Sequence, residues 1–237
     1  MTFSRASRSS RRPEVPSRQP GAPLPWETVF FDLDGTLADT IPLIIASYRH
    51  AFREVMGVEV EESAARAWIG RPLLPALLEE SPEHGHELDR VYREWNLANT
   101  ARLIRAYPGI QGLLEGLEAA GARTAVVTSK RRETALVALE HVGIGGRIEV
   151  VAGLEDTTEH KPHPAPLLHG ARAVGVEPSA CVYVGDATVD ILAARAAGMA
   201  AVAVTWGAGT SAELVAVEPD RICETVEELT DLLMPAV

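Results

Sequence analysis

A chain of 237 residues, 46% hydrophobic and 23% charged, has the size and composition of one large globular domain or of a core carrying a smaller one. No apolar stretch reaches the length of a membrane span. The net charge of −11 is uneven: residues 1–26 hold five arginines against Glu14, which leaves −15 on the remainder and argues against a nucleic-acid partner, whose phosphates need clustered basic side chains.

Residues 1–25 are rich in Ser, Arg and Pro with few large apolar side chains, a composition that reads as a disordered tail. Arg11-Arg12 is followed by Pro13-Glu14-Val15-Pro16 rather than an apolar run, so no twin-arginine export signal is expected. Thr28 to Phe31 reads as a buried strand that ends on Asp32-Leu33-Asp34-Gly35-Thr36. A carboxylate at the end of a buried strand is costly to desolvate unless a cation or hydrogen bonds compensate. Two of them, with Gly35 turning the chain, point to a metal site with one acid free for chemistry. Asp39 or Thr40 can N-cap the next helix, with Pro42 tolerated in its first turn. Leu43, Ile44, Ser47, Tyr48, Ala51, Phe52 and Val55 then recur at helical spacing. Helices over 61–68, 72–79 and 85–104 complete an all-helical insert, residues 41–106, closed by Tyr107-Pro108-Gly109.

Beyond it, strands and helices alternate: helix 110–120, strand 123–127, helix 131–141, strand 148–152, helix 164–174, strand 181–184, helix 187–197, strand 200–204 and a last helix over 224–233. Strands spaced by helices imply right-handed crossovers in a parallel sheet, an α/β core formed by residues 26–40 and 107–237. Cys181 and Cys223 are the only cysteines; Cys181 opens an apolar run where a buried free thiol is expected, so no disulfide and a reducing, cytoplasmic compartment are expected.

Three later segments carry chemistry. Thr128-Ser129 follow a strand where a helix begins; alone they read as an N-cap, but a hydroxyl with free N–H groups there also cradles anions. Lys161 sits in His160-Lys161-Pro162-His163-Pro164; the chain's only other lysine is Lys130, against twenty arginines, and both fall in expected active-site loops. Asp186 directly follows the strand at Cys181 to Val184, with Asp190 one helical turn on; the pair can ligate and orient a divalent cation, or simply cap the helix. All these groups fall at the carboxyl ends of parallel strands, where such sheets bind ligands.

In order and spacing, Asp32-Leu33-Asp34-Gly35-Thr36-Leu37, Thr128-Ser129, Lys161 and Gly185-Asp186…Asp190 resemble the four signatures of the haloacid dehalogenase superfamily, over residues 28 to about 230. The resemblance implies a Rossmann-like, doubly wound core. Its helical insert is similar to the cap of the branch containing phosphoglycolate phosphatase, pyrophosphatase PpaX and β-phosphoglucomutase. It further implies a Mg²⁺-dependent phosphatase acting on a small phosphate monoester, such as a sugar phosphate, phosphoglycolate or a phosphorylated biosynthetic intermediate. A pyrophosphatase or phosphomutase is the alternative, and a non-catalytic protein on the same fold a third. Asp32 would be the nucleophile, and Asp34 the acid and base. Mg²⁺ would be held by Asp32, the carbonyl of Asp34 and Asp186, with Asp190 orienting it. Gly35, Thr36, Thr128, Ser129 and Lys161 would bind the phosphoryl group. The expected partner is a small-molecule ester, with no nucleic acid or membrane, and the expected state a monomer or weak homodimer.

Specificity is expected from the cap. Gly70 and Pro72 strand Arg71 on a helix connection, where it either reads the leaving group or is simply exposed. Tyr92, Trp95 and Arg102 read as packing residues, His50 as packing inside the first cap helix, and His84 and His86 as solvated loop histidines.

Overall fold

The computed structural model describes residues 26–234; the tail expected over residues 1–25 lies outside them. Five strands that pair only in parallel surround or extend from β1 (Thr28–Phe31): β4 (Arg123–Val127), β5 (Glu149–Ala152), β6 (Cys181–Gly185), β7 (Ala200–Val204) and β8 (Arg221–Cys223). Their order is β5-β4-β1-β6-β7-β8, so β1 is central and the chain winds outward from it in both directions. The remaining strands, β2 (Ala38–Asp39) and β3 (Arg105–Ala106), form an antiparallel pair where the chain leaves and rejoins the core.

The period-two alternation of a strand explains why these segments are apolar throughout. Val29, Phe31, Val126, Val182, Val184, Val202 and Val204 belong to one buried cluster. Phe30, Ala125, Val127, Tyr183, Ala201 and Ala203 belong to another. Both faces are therefore covered, as parallel sheets require. Helices α5 (Ile110–Ala119), α6 (Arg132–His141) and α10 (Val226–Leu233) supply the first cluster; α7 (Ala165–Val174), α8 (Thr188–Ala197) and α9 (Ser211–Ala216) supply the second.

Between β2 and β3 come α1 (Ile41–Met56), α2 (Glu62–Ala67), α3 (Leu73–Glu80) and α4 (Gly85–Leu103). They bury a third cluster of their own, with Tyr48 against Trp68 and Tyr92 at ring-centroid distances of 5.0 and 4.8 Å. Helix α1 is amphipathic, and its last turn ends at Gly57, whose φ of 68° lets its N–H reach back to carbonyls of the last turn. Its start differs from the sequence expectation. Thr40 holds the N-cap position but with φ −101° and ψ −5°, so its hydroxyl makes no capping bond and lies buried without a partner. Pro42 removes one of the N–H groups a cap would have served.

Among strands and α-helices of the described residues, four went unforeseen. Strands β2, β3 and β8 span two or three residues, too short for a periodic signal. Helix α9 did announce itself: Thr210 and Glu213 form a reciprocal capping box, a pattern visible in the sequence.

Candidate active site

The hydrogen-bond ladder between β1 and β6 continues one residue past β1, where the Asp32 N–H donates to Val184 O at 2.9 Å. This fixes the Asp32 carboxylate at the strand ends, only 3% exposed. Lys161, delivered by the β5–α7 loop and equally buried, meets it there. Its ammonium donates to Asp32 Oδ1 (3.0 Å), Asp190 Oδ1 (2.6 Å) and the Tyr183 hydroxyl (3.0 Å), which matches all three donors. The Tyr183 hydroxyl donates onward to Val127 O at 2.7 Å. Burial pulls the Lys161 pKa down, but Asp190 and Asp32 outweigh it and hold the group well above its ordinary value, a fixed cation.

Asp190 does both things its position allows. Its second oxygen accepts the Ala187 N–H at 3.0 Å at the start of α8, while the first holds Lys161. Asp186 is clamped from two sides: Thr36 Oγ1 donates to Oδ1 at 2.9 Å, and the Ala208 N–H to Oδ2 at 2.7 Å. The approach is close enough to demand glycine. Gly35 has φ +82°, and a Cβ there would lie 2.8 Å from the Asp186 carboxyl carbon. Gly207, on the loop after β7, would likewise drive a Cβ into Asp186.

Oxygens of Asp32, Asp186 and Asp190 lie within 4.8 Å of one another. Fully ionised, the three buried carboxylates would exceed the one ammonium of Lys161 by two negative charges. The titration of the acids reflects it. Burial lifts Asp32 from an ordinary 3.8 to about 6 despite the pull of Lys161. Burial, then the charges of Asp190 and Asp32, push Asp186 well above the usual carboxylate range. An all-oxygen donor set with a two-charge deficit fits a hard divalent cation.

The Asp34 side chain is not in this group. It faces Lys130, whose ammonium lies 3.0 and 3.2 Å from its two oxygens. Only its carbonyl, the part named in the sequence reading, remains for a metal. Gly35 and Thr36 also differ from their expected role. The Gly35 N–H donates to Ala38 O and the Thr36 hydroxyl to Asp186, so these donors brace the turn and the acid rather than standing free for a phosphoryl group.

Above the acids lies a cavity of about 240 Å³. Asp32, Asp34, Thr128, Ser129 and Lys130 form its core side, and the insert supplies Ile44, Tyr48, Trp68, Arg71, Tyr92 and Arg93. Ser129 ties the two halves, its hydroxyl donating to Gly70 O at 2.9 Å. Arg71 does line the cavity, yet its guanidinium is ion-paired with Glu79. Trp95 stacks on His50 at 5.4 Å, so these two pack as expected; Arg102 is instead exposed and bonds Asn99, and the histidines expected in a loop belong to α4, His84 half-buried at its start in contact with Ser81 and His86 in its first turn. Tyr92 combines both roles, buried in the insert's cluster and lining the cavity. His86 is exposed.

Residues 29–204 match the family model described as haloacid dehalogenase-like hydrolase. The chain belongs to that family. It is 32% identical to pyrophosphatase PpaX of Halalkalibacterium halodurans over 206 residues, 87% of this chain and 96% of that protein. It is 30% identical to phosphoglycolate phosphatase of Nitrosococcus oceani over 220 residues, 89% of this chain and 97% of that one. Among solved structures, that of a predicted phosphoglycolate phosphatase from Haemophilus somnus superposes with a TM-score of 0.79 at 28% identity, covering 88% and 98% of the two chains. The stretch matched by the haloacid dehalogenase-like model contains the insert helices α1–α4 and the positions of Asp32, Lys161, Asp186 and Asp190.

Sequence reasoning left three participants without a role. Lys130 was placed in a site loop but given no partner. Tyr183 was passed over as one more apolar strand residue, although a phenol among valines must find a polar partner. The Trp206-Gly207-Ala208-Gly209 loop, a glycine-rich turn after a parallel strand, carried a readable signal.

Proposed function

We propose that this hydrolase is a Mg²⁺-dependent phosphatase that cleaves a small-molecule phosphate monoester through an aspartyl-phosphate on Asp32, with α1–α4 acting as a cap over the site. The observation that carries this reading is the set of three buried carboxylates against one ammonium around Asp32 and Asp186 at the floor of a cavity. Bound there by Asp32, the Asp34 carbonyl and Asp186, Mg²⁺ would neutralise charge on the transferring group.

The remaining roles fall to the chain's own groups. Asp32, held in line by Lys161, attacks phosphorus; Lys161, Thr128 and the Ser129 N–H hold phosphoryl oxygens. Asp34 gives a proton to the leaving oxygen and later takes one from the hydrolytic water. Because Lys130 grips Asp34 at 3.0 Å, substrate must redirect that ammonium as it enters. Arg71 stands at the leaving-group end, restrained by Glu79.

A pyrophosphatase reading draws support from the similarity to PpaX, whereas a mutase would need a proton-handling cap histidine, and His50 is stacked on Trp95 instead. The deciding experiment follows phosphate release from p-nitrophenyl phosphate with Mg²⁺ and then with EDTA. Activity lost on chelation and restored by Mg²⁺ is expected; undiminished turnover without metal would exclude the site as assigned.

A further inference from the structure

The floor of the cavity is charged, whereas the insert wall carries an apolar stretch beside two ion-paired arginines, Arg71 and Arg93. Ile44, Tyr48, Trp68 and Tyr92 face it from α1, α4 and the end of α2. Leu97 of α4, 56% exposed, and Val137 of α6 line the same cavity and extend its apolar lining. A cavity lined mainly by aromatic and aliphatic side chains suits an apolar ligand body.

The cavity's cations are, by contrast, mostly engaged. Lys130 is paired with Asp34, Arg71 with Glu79, and Arg93 with Asp89 at 2.7 Å. Arg131 alone has no carboxylate partner among the described residues, and it lies exposed on the lip of the opening. A second phosphate or carboxylate on the substrate would find only Arg131 unpaired among these cations, out on the exposed lip; deeper in, it would lie against aromatic rings beside arginines already paired.

We infer, on the phosphatase reading above, that the substrate is a phosphate monoester whose alcohol carries an apolar body, seated on the Ile44–Tyr48–Trp68–Tyr92 wall with Leu97 closing over it. Its phosphate occupies the acidic floor, and its body takes the place that a second anionic group would hold in a smaller substrate.

The test compares ethyl, hexyl and 2-cyclohexylethyl phosphate, all esters of unactivated primary alcohols, so chemical reactivity is matched and only the body differs. Each fully buried methylene is worth about fourfold in affinity, so hexyl should exceed ethyl phosphate by about tenfold or more in kcat/KM. Leu97→Asp, a change at an exposed position, should cut the hexyl-to-ethyl ratio by about threefold or more. A hexyl-to-ethyl ratio near one, or pyrophosphate or phosphoglycolate outpacing hexyl phosphate, would overturn the inference while leaving the phosphatase standing. An unchanged ratio in Leu97→Asp would overturn the placement of the body on this wall. Failure of every ester, p-nitrophenyl phosphate included, would instead remove the phosphatase reading and this inference with it.

Discussion

Asp32 shows how one residue can be expensive to the fold and, on the proposed mechanism, indispensable to the chemistry. Burial raises its pKa to about 6 from 3.8, so the folded chain binds this proton more tightly than the unfolded one. Above about pH 6 the ionised group therefore destabilises the metal-free protein, and acidification from 6 towards 3.8 relieves that cost. In EDTA at pH 8, Asp32→Asn should be more stable than the parent by on the order of 2 kcal/mol, the difference fading as pH approaches 4, while its turnover is abolished. Urea unfolding at several pH values measures the first effect and phosphate release the second; a destabilised Asp32→Asn at pH 8 would contradict the account. Tyr183 is the opposite case, a fully buried residue that does not line the cavity. Tyr183→Phe leaves Val127 O without its donor and Lys161 with one N–H unmatched, which should cost about 1–3 kcal/mol. The melting temperature should fall by roughly 2–4 °C for each kcal/mol lost.

The turn after β1 is where an element depends on a single missing atom. Gly35→Ala must adopt φ +82° with a Cβ against the Asp186 carboxyl, so both strain and overlap act together. The loss should be about 2–4 kcal/mol, and Mg²⁺ binding followed by calorimetry should weaken because Asp186 is displaced. Retained Mg²⁺ affinity would mean that the turn relaxes without moving the acid. This position also marks what the sequence could and could not convey. The Asp32–Gly35 spacing, the buried strands and the Lys161 and Asp186 loops were readable because each expresses a local rule: burial on both sheet faces, or a charge at a strand end. The partnerships were not. That Thr36 serves Asp186 across 150 residues of chain, or that Lys130 meets Asp34, follows from sheet order, which no local pattern encodes. Strands β2, β3 and β8 escaped for a different reason, since two or three residues carry no period to read.

On the scale of the whole molecule, a divalent ion that relieves buried repulsion must also stabilise the fold. At a Mg²⁺ concentration about one hundred times its Kd, the gain should be about 2.7 kcal/mol, seen as a raised melting temperature. Asp186→Asn should remove most of that shift, and an equal shift in the variant would place the ion elsewhere. The prediction reads binding without turnover, so it holds whatever the natural substrate proves to be. Among the described residues no helix is long and apolar enough to cross a membrane.

The two-residue pairing of β2 with β3 has a topological corollary. The outgoing and returning strands lie side by side, Ala38 opposite Ala106 and Asp39 opposite Arg105. Seen from the sheet, everything from α1 to α4 is the loop of a hairpin, and a hairpin loop can change length and content without altering the strands that close it. The same junction is bolted to the turn that follows Asp32, because Gly35 donates to Ala38 O at 2.9 Å. On the function proposed above, substrate choice would be free to drift with the sequence of the loop while Asp32 stays where the sheet put it.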